Sequence, residues 1–241
     1  MEKFKNKVAL ITGGTKGIGK GVAEALLELG MNVAITSRTL TNAENVAKTL
    51  NEKYKGKGTA LGIKADVRLF ESQVKAVNSV IAEFGQLDVL VANAGLGHFG
   101  NIKDLKVDEW QETIDTNLTG VFYSIKASMP HLKSSKGYIF TISSLAGTNF
   151  FAGGAAYNAS KFGLTGFTQA VMLDLRDDDI KVSTIMPGSV ATEFNGNEPS
   201  EKDDWKIQSE DIGELVVDLL KMNPRTLPSK IEVRPSKPPK K

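Results

Sequence analysis

The sequence predicts an α/β fold: a single doubly wound, Rossmann-type parallel sheet of about seven strands with helices on both faces. Three observations carry this expectation. Short apolar runs alternate with longer amphipathic ones along almost the whole chain. The short runs are rich in Val, Ile and Leu, as strands covered on both faces should be. A glycine cluster also stands at the first strand-to-helix junction, where the backbone must turn tightly.

Taken in order, Val8–Thr12 reads as the first strand and Gly17–Leu29 as the first helix, with Gly30 placed as a helix C′ glycine before the second strand, Asn32–Ser37. Helix Asn42–Lys55, strand Thr59–Lys64, helix Phe70–Phe84 and strand Val89–Ala92 follow. A long helix is expected over Val107–Met129, stopped by Pro130, which lacks the N–H to continue it. Strand Tyr138–Ile142, helix Ala155–Leu173, strand Lys181–Met186, helix Ser209–Met222 and strand Ile231–Val233 complete the series. Such regular alternation implies right-handed crossovers. One dinucleotide-binding and catalytic domain is expected over 1–234, with 235–241 (Pro-Ser-Lys-Pro-Pro-Lys-Lys) as a disordered basic tail.

Composition narrows the function. With 241 residues, 41% apolar and 24% charged, the chain sits near globular averages. Thirty Lys and Arg against 28 Asp and Glu give +2, too balanced for a generic polyanion binder, so no nucleic-acid partner is expected. There is no cysteine, hence no disulfide, thiolate nucleophile or cysteine metal site. His98 and His131 lack nearby carboxylates at ligand spacing, so no metal is expected. His131, just past Pro130, reads as a surface residue. No segment reaches the roughly 18–20 apolar residues of a membrane span, and the first apolar stretch is too short for a signal peptide, so a cytoplasmic location is expected.

The first strand feeds Thr12-Gly13-Gly14-Thr15-Lys16-Gly17-Ile18-Gly19, and a helix starts there. Such a turn lets the backbone approach a ligand, and the helix N-terminus offers free N–H groups to phosphate oxygens. The spacing is Gly-x3-Gly-x-Gly rather than Gly-x-Gly-x-x-Gly. A nucleotide-triphosphate loop is disfavoured because Gly21 stands where a magnesium-binding hydroxyl is needed. A ligand-free turn is the plainer alternative; a pyrophosphate site is the preferred reading. At the end of the second strand, where an acidic side chain would meet a free ribose 2′-hydroxyl, the chain has Ser37 and Arg38. A guanidinium suits a 2′-phosphate, and Lys16 could reach the same group from the glycine turn. NADP(H) is therefore expected over NAD(H).

A second constellation lies further on. Ser144 follows a strand's carboxyl end, the edge where open parallel sheets bind ligands. Tyr157 and Lys161, four apart on a helix, share one face, so an ammonium could favour the phenolate. Together with the glycine turn, Asn93-Ala94-Gly95 and Pro187-Gly188-x-Val190-x-Thr192, these residues resemble the short-chain dehydrogenase/reductase family from about Lys7 to Thr192.

The resemblance implies roles. Tyr157 would be the acid that protonates a carbonyl oxygen as hydride arrives, Lys161 would lower its pKa and hold the nicotinamide ribose, and Ser144 would bind the substrate oxygen. The family spacing to Tyr157 selects Ser144 over Ser143. Asn117 would organise a water relay to the lysine, or else serve as a helix-kink or cap residue. Gly13, Thr15, Lys16, Gly17, Ile18 and Gly19 would cradle the diphosphate. Ser37 and Arg38 would meet the 2′-phosphate, and Asp66 and Val67 the adenine. Asn93, Ala94 and Gly95 would support the adenine ribose and the central strand. Pro187, Gly188, Val190 and Thr192 would receive the carboxamide.

The family also places a substrate pocket over the nicotinamide. Here that pocket would draw on Leu96, Gly97, His98, Leu145, Asn149, Phe150, Phe151 and Phe194, an apolar lining suited to a small hydrophobic ketone or aldehyde. A short polar lid is expected over Thr192–Trp205. Relatives pair through their fourth and fifth long helices, which implies a homodimer or homotetramer. This chain ends in Ile231-Glu232-Val233-Arg234-Pro235 rather than a glycine-rich strand. An NADP(H)-dependent carbonyl reductase is the expected function. Reduction of 3-oxoacyl groups on an acyl carrier protein is the specific alternative, and a non-catalytic NADP(H) sensor the remote one.

Overall fold

The computed structural model describes residues 2–238. Seven strands, β1 (Val8–Ile11), β2 (Asn32–Ser37), β3 (Ala60–Lys64), β4 (Val89–Ala92), β5 (Tyr138–Ile142), β6 (Lys181–Pro187) and β7 (Lys230–Val233), form one parallel sheet in the order β3-β2-β1-β4-β5-β6-β7. The order reverses between β1 and β4, which pair through Ala9–Val89, Leu10–Leu90 and Ile11–Val91. At such a reversal the connecting helices leave on opposite faces and open a crevice at the carboxyl ends.

Alternation along each strand sends side chains to two separate cores. Ala9 and Ile11 of β1 join the core on one face, packed by α1 (Gly17–Glu28), α2 (Leu40–Lys53) and α7 (Ser209–Lys221). Val8 and Leu10 join the other, packed by α3 (Phe70–Phe84), α5 (Gly120–Ser135) and α6 (Ala155–Asp174). Both sheet faces are dry, which is why the strands read as nearly unbroken apolar runs. Asp88, buried just before β4, accepts from the Val8 backbone N–H at 2.8 Å and from Lys7 Nζ at 2.6 Å, satisfying its charge.

The expected strands and helices recur with ends shifted by at most two residues, except at the long fourth helix. There α4 (Val107–Ile114) passes through a π-turn (Asp115–Thr119) into α5, which runs on to Ser135. Pro130 lies inside α5 and does not stop it. Its exposed position leaves the orphaned carbonyl of the exposed Lys126 open to water. Beyond it, Leu132 is fully buried and Ser135 Oγ donates to Leu87 O at 2.7 Å, so tertiary packing carries the last turn. His131 is half-buried rather than on the open surface. Of the expected basic tail, Ser236 to Pro238 are exposed, and 239–241 lie outside the described residues.

Because Pro130 interrupts a helix on its solvent face, Pro130→Ala should stabilise the fold by about 1–2 kcal/mol, less than the full interior cost because proline also restricts the unfolded chain. Urea denaturation at constant m checks this.

Candidate active site

The crevice is a cleft of about 720 Å³ running from the end of β2 to the segment after β6. It begins at the glycine turn, where Gly13 (φ 63°) and Gly17 (φ 50°) adopt the left-handed conformation that glycine tolerates. The first turn of α1 contains no acidic residue, and its N-cap, Lys16, makes no side-chain cap bond. Its N–H groups are therefore available to an anion.

The two strands at the reversal are clamped together. Thr12 Oγ1 accepts from Asn93 N at 3.0 Å and Ala94 N at 3.1 Å, while Asn93 Nδ2 donates to Thr12 O (2.9 Å) and Gly13 O (3.1 Å). Ser37 and the exposed Arg38 border the cleft beside Lys16. Asn42 of α2 ties them in by donating to Thr15 Oγ1 (3.1 Å) and Ser37 Oγ (3.2 Å).

After β3, Asp66 is gripped by Arg68, with Nε 3.0 Å from Oδ1 and Nη2 2.7 Å from Oδ2. That hydrogen bonding holds the Asp66 carboxyl below its ordinary range, outweighing desolvation, and Arg38 adds a weaker attraction. Arg68 continues to Glu112 of α4 (Nη1–Oε1 3.1 Å), and Glu112 meets His98 Nε2 at 2.9 Å.

At the other end, Ser144, Tyr157 and Lys161 line the same cleft. Ser143 Oγ pairs with Thr165 Oγ1 at 2.9 Å and is buried against α6, whereas Ser144 is only partly covered and its Oγ lies 3.5 Å from Pro187 O. Lys161 is 4% exposed; its Nζ donates to Ile142 O at 2.9 Å and stands 5.7 Å from the Tyr157 ring centre. Burial pulls the Lys161 amine down to about 8. Burial also pushes the Tyr157 phenol up, with the Ser144 hydroxyl partly countering it. The amine lies over the ring and is hydrogen-bonded to a strand carbonyl. Burial therefore sets the direction of the Tyr157 shift in this structure, and the Ser144 hydroxyl is the group that opposes it.

Asn117, in the π-turn, is fully buried. It accepts from Leu96 N (2.9 Å) and donates to Leu96 O (2.8 Å) and Ser160 Oγ (3.0 Å). Both amide hydrogens are spent on holding the loop after β4 against α6.

Residues 7–203 match the family described as short chain dehydrogenase. The chain belongs to that family. A trans-4-hydroxycyclohexanecarboxylate dehydrogenase of Sinomonas cyclohexanicum is 39% identical over 194 residues, covering 79% of this chain and 75% of that one. A 3-oxoacyl-[acyl-carrier-protein] reductase of Salmonella typhimurium is 37% identical over 192 residues, covering 79% and 76%. Among solved structures, an alcohol dehydrogenase from Thermococcus sibiricus complexed with 5-hydroxy-NADP superposes with a TM-score of 0.88 at 29% identity, covering 98% of this chain and 99% of that one.

Within this short-chain dehydrogenase, most of the expected cofactor residues border the cleft: Gly13, Thr15, Lys16, Gly17 and Ile18; Ser37, Arg38, Asp66 and Val67; Asn93, Ala94 and Gly95; Pro187, Gly188, Val190 and Thr192. Gly19 instead is buried behind the turn, against Asn93 Nδ2. The expected substrate residues scatter. Leu96 and Phe194 line the cleft. His98 is drawn away to Glu112, Leu145 packs behind Gly188, and Asn149 donates to Leu145 O. Phe150 is 87% exposed and Phe151 packs on Phe99 at 6.0 Å between ring centres. Sequence reasoning missed Asn42 and Arg68, which line the cleft, and Phe99, which packs on Tyr157 from outside that lining. Asp66-x-Arg68 offered a faint signal, since Arg68 N closes a short turn on Asp66 Oδ1 at 3.0 Å.

The depressed Lys161 amine has a consequence for stability. Unfolded, it titrates near the ordinary 10.5, so between about pH 8 and 10.5 the unfolded chain holds more protons and stability rises with pH. Below pH 8 the buried ammonium costs on the order of 3 kcal/mol. Lys161→Met should raise the melting temperature at pH 7, with the gain shrinking toward pH 10.5, as thermal melts across that range would record.

Proposed function

We propose that this protein is an NADP(H)-dependent carbonyl reductase or alcohol dehydrogenase, one catalytic domain over 1–234 that interconverts a ketone or aldehyde and its alcohol. The observation that carries the reading is that Ser144, Tyr157 and Lys161 line the same cleft as an uncapped helix N-terminus and Arg38. The residues present fit a dinucleotide. The turn from Gly13 to Gly19 and the start of α1 would hold the diphosphate, Lys16 and Arg38 a 2′-phosphate, Asp66 and Val67 the adenine side, and the stretch from Pro187 to Thr192 the nicotinamide amide. Bound there, NADP(H) supplies the hydride chemistry.

The chain supplies the rest. Ser144 donates to the substrate oxygen and stabilises its developing charge. Tyr157 gives its phenolic proton to that oxygen in reduction and takes it back in oxidation. Lys161 would hold the ribose hydroxyls of the bound cofactor, and Asn117 positions Leu96 and α6. A homodimer or homotetramer would use the exposed Phe122 of α5 and Phe162 and Leu173 of α6. The carrier-protein alternative is disfavoured by charge: the segment over 193–206 carries Glu193, Glu198, Glu201, Asp203 and Asp204 against Lys202 and Lys206, an unfavourable face for an acidic partner.

Tyr157→Phe should lower kcat by about 10²–10⁴-fold while NADPH binding, followed by fluorescence titration, is retained. Arg38→Asp should shift the NADPH-to-NADH affinity ratio toward NADH by about a hundredfold. An unchanged ratio would count against the cofactor assignment.

A further inference from the structure

Resting on the reductase reading, we infer that this site is built for a neutral ketone carrying an aromatic ring beside the carbonyl, with Phe99 as the residue that sets this specificity. Tyr157 is the hub of a group of rings. Phe99 meets it edge-on at 5.3 Å between centres, Phe194 lies at 5.9 Å with planes 57° apart, and Phe151 joins Phe99. These are the separations and tilts at which aromatic pairs attract beyond simple burial.

The approach of the rings depends on Gly97. An added Cβ on Gly97 would lie 2.7 Å from Phe99 Cζ and 3.2 Å from Phe194 Cζ, so only glycine lets both approach. Phe99 is nevertheless 46% exposed and Phe151 48%. Tyr157 and Phe194 line the cleft, and Phe99 and Phe151 extend the group just outside that lining; together these rings leave apolar area facing water, which an apolar ligand held beside Tyr157 would cover. A flat ring beside the carbonyl fits such surroundings better than a flexible chain, which loses more rotamer freedom on binding.

Charge excludes anionic relatives of such a substrate. Of the cations bordering the cleft, Lys16, Arg38 and Arg68 stand at the ends of β2 and β3 and by the glycine turn, and Lys161 is buried on Ile142 O. Lys206 is paired with Asp203 at 2.6 Å. Next to Phe194 the charge is Glu193, whose Oε2 approaches Gly17. A substrate carboxylate at this end would face that carboxylate, and among the described residues that line the cleft no unpaired cation stands there to receive it.

The test measures kcat/KM with NADPH for acetophenone, for 2-octanone (the same number of carbons without a ring) and for 4-acetylbenzoate. Acetophenone should exceed each of the others by about tenfold or more. Phe99→Ala should bring the acetophenone-to-octanone ratio close to one, Phe99→Tyr should keep it, and Gly97→Ala, by displacing two rings, should reduce it. Equal rates for acetophenone and 2-octanone, or a ratio unmoved in Phe99→Ala, would overturn this proposal alone. Bound NADPH with no ketone reduced would overturn the reductase reading and this proposal with it.

Discussion

The clamp between Thr12 and Asn93 is the interaction on which the rest of the site depends. It locks the carboxyl ends of β1 and β4 side by side where the strand order reverses. Were these two ends to splay, the glycine turn on one and the loop carrying Leu96 on the other would lose their common floor. Four hydrogen bonds through two side chains achieve this with no charge and little exposed surface. The sheet's two dry faces supply rigidity, and the clamp turns that rigidity into a fixed cleft width.

On the catalytic side the fold works against its own stability. An amine with one hydrogen bond to a strand carbonyl is held almost entirely out of water. Cores do not keep such a group for packing alone, since an apolar side chain of similar volume would sit there at lower free energy. The neighbouring Asn117 is the opposite case: a buried polar side chain whose donors are all used, stiffening the π-turn and tying α4–α5 to α6 through Ser160. Strain at the lysine and support at the asparagine are consistent with a site where function sets the local composition.

Much of this was legible in the residues themselves. Strands covered on both faces announce themselves as short apolar runs, and three of them, Asn32–Ser37, Val89–Ala92 and Tyr138–Ile142, have the ends the periodicity implies. The glycine turn and the four-residue step from Tyr157 to Lys161 are local patterns, so spacing could place them. What escaped depends on tertiary direction. Pro130 reads as a stop until Leu132 and Ser135 are seen to be anchored beyond it. Nothing in the stretch Gly97-His98-Phe99 says that the histidine pairs with Glu112 and the phenylalanine packs on Tyr157. The sign of the Tyr157 shift was likewise invisible, because sequence shows the neighbouring amine but not how much water both groups lose.

The chain of side chains from Asp66 through Arg68 and Glu112 to His98 crosses from the tip of β3 to the stretch that bears Phe99. It ties the end of the cleft at β3 to the loop after β4. If the proposed roles hold, the two ends would not be independent modules for a protein engineer: replacing Arg68 would also cut the link through Glu112 to His98, so coenzyme choice and reactant choice would be retuned together.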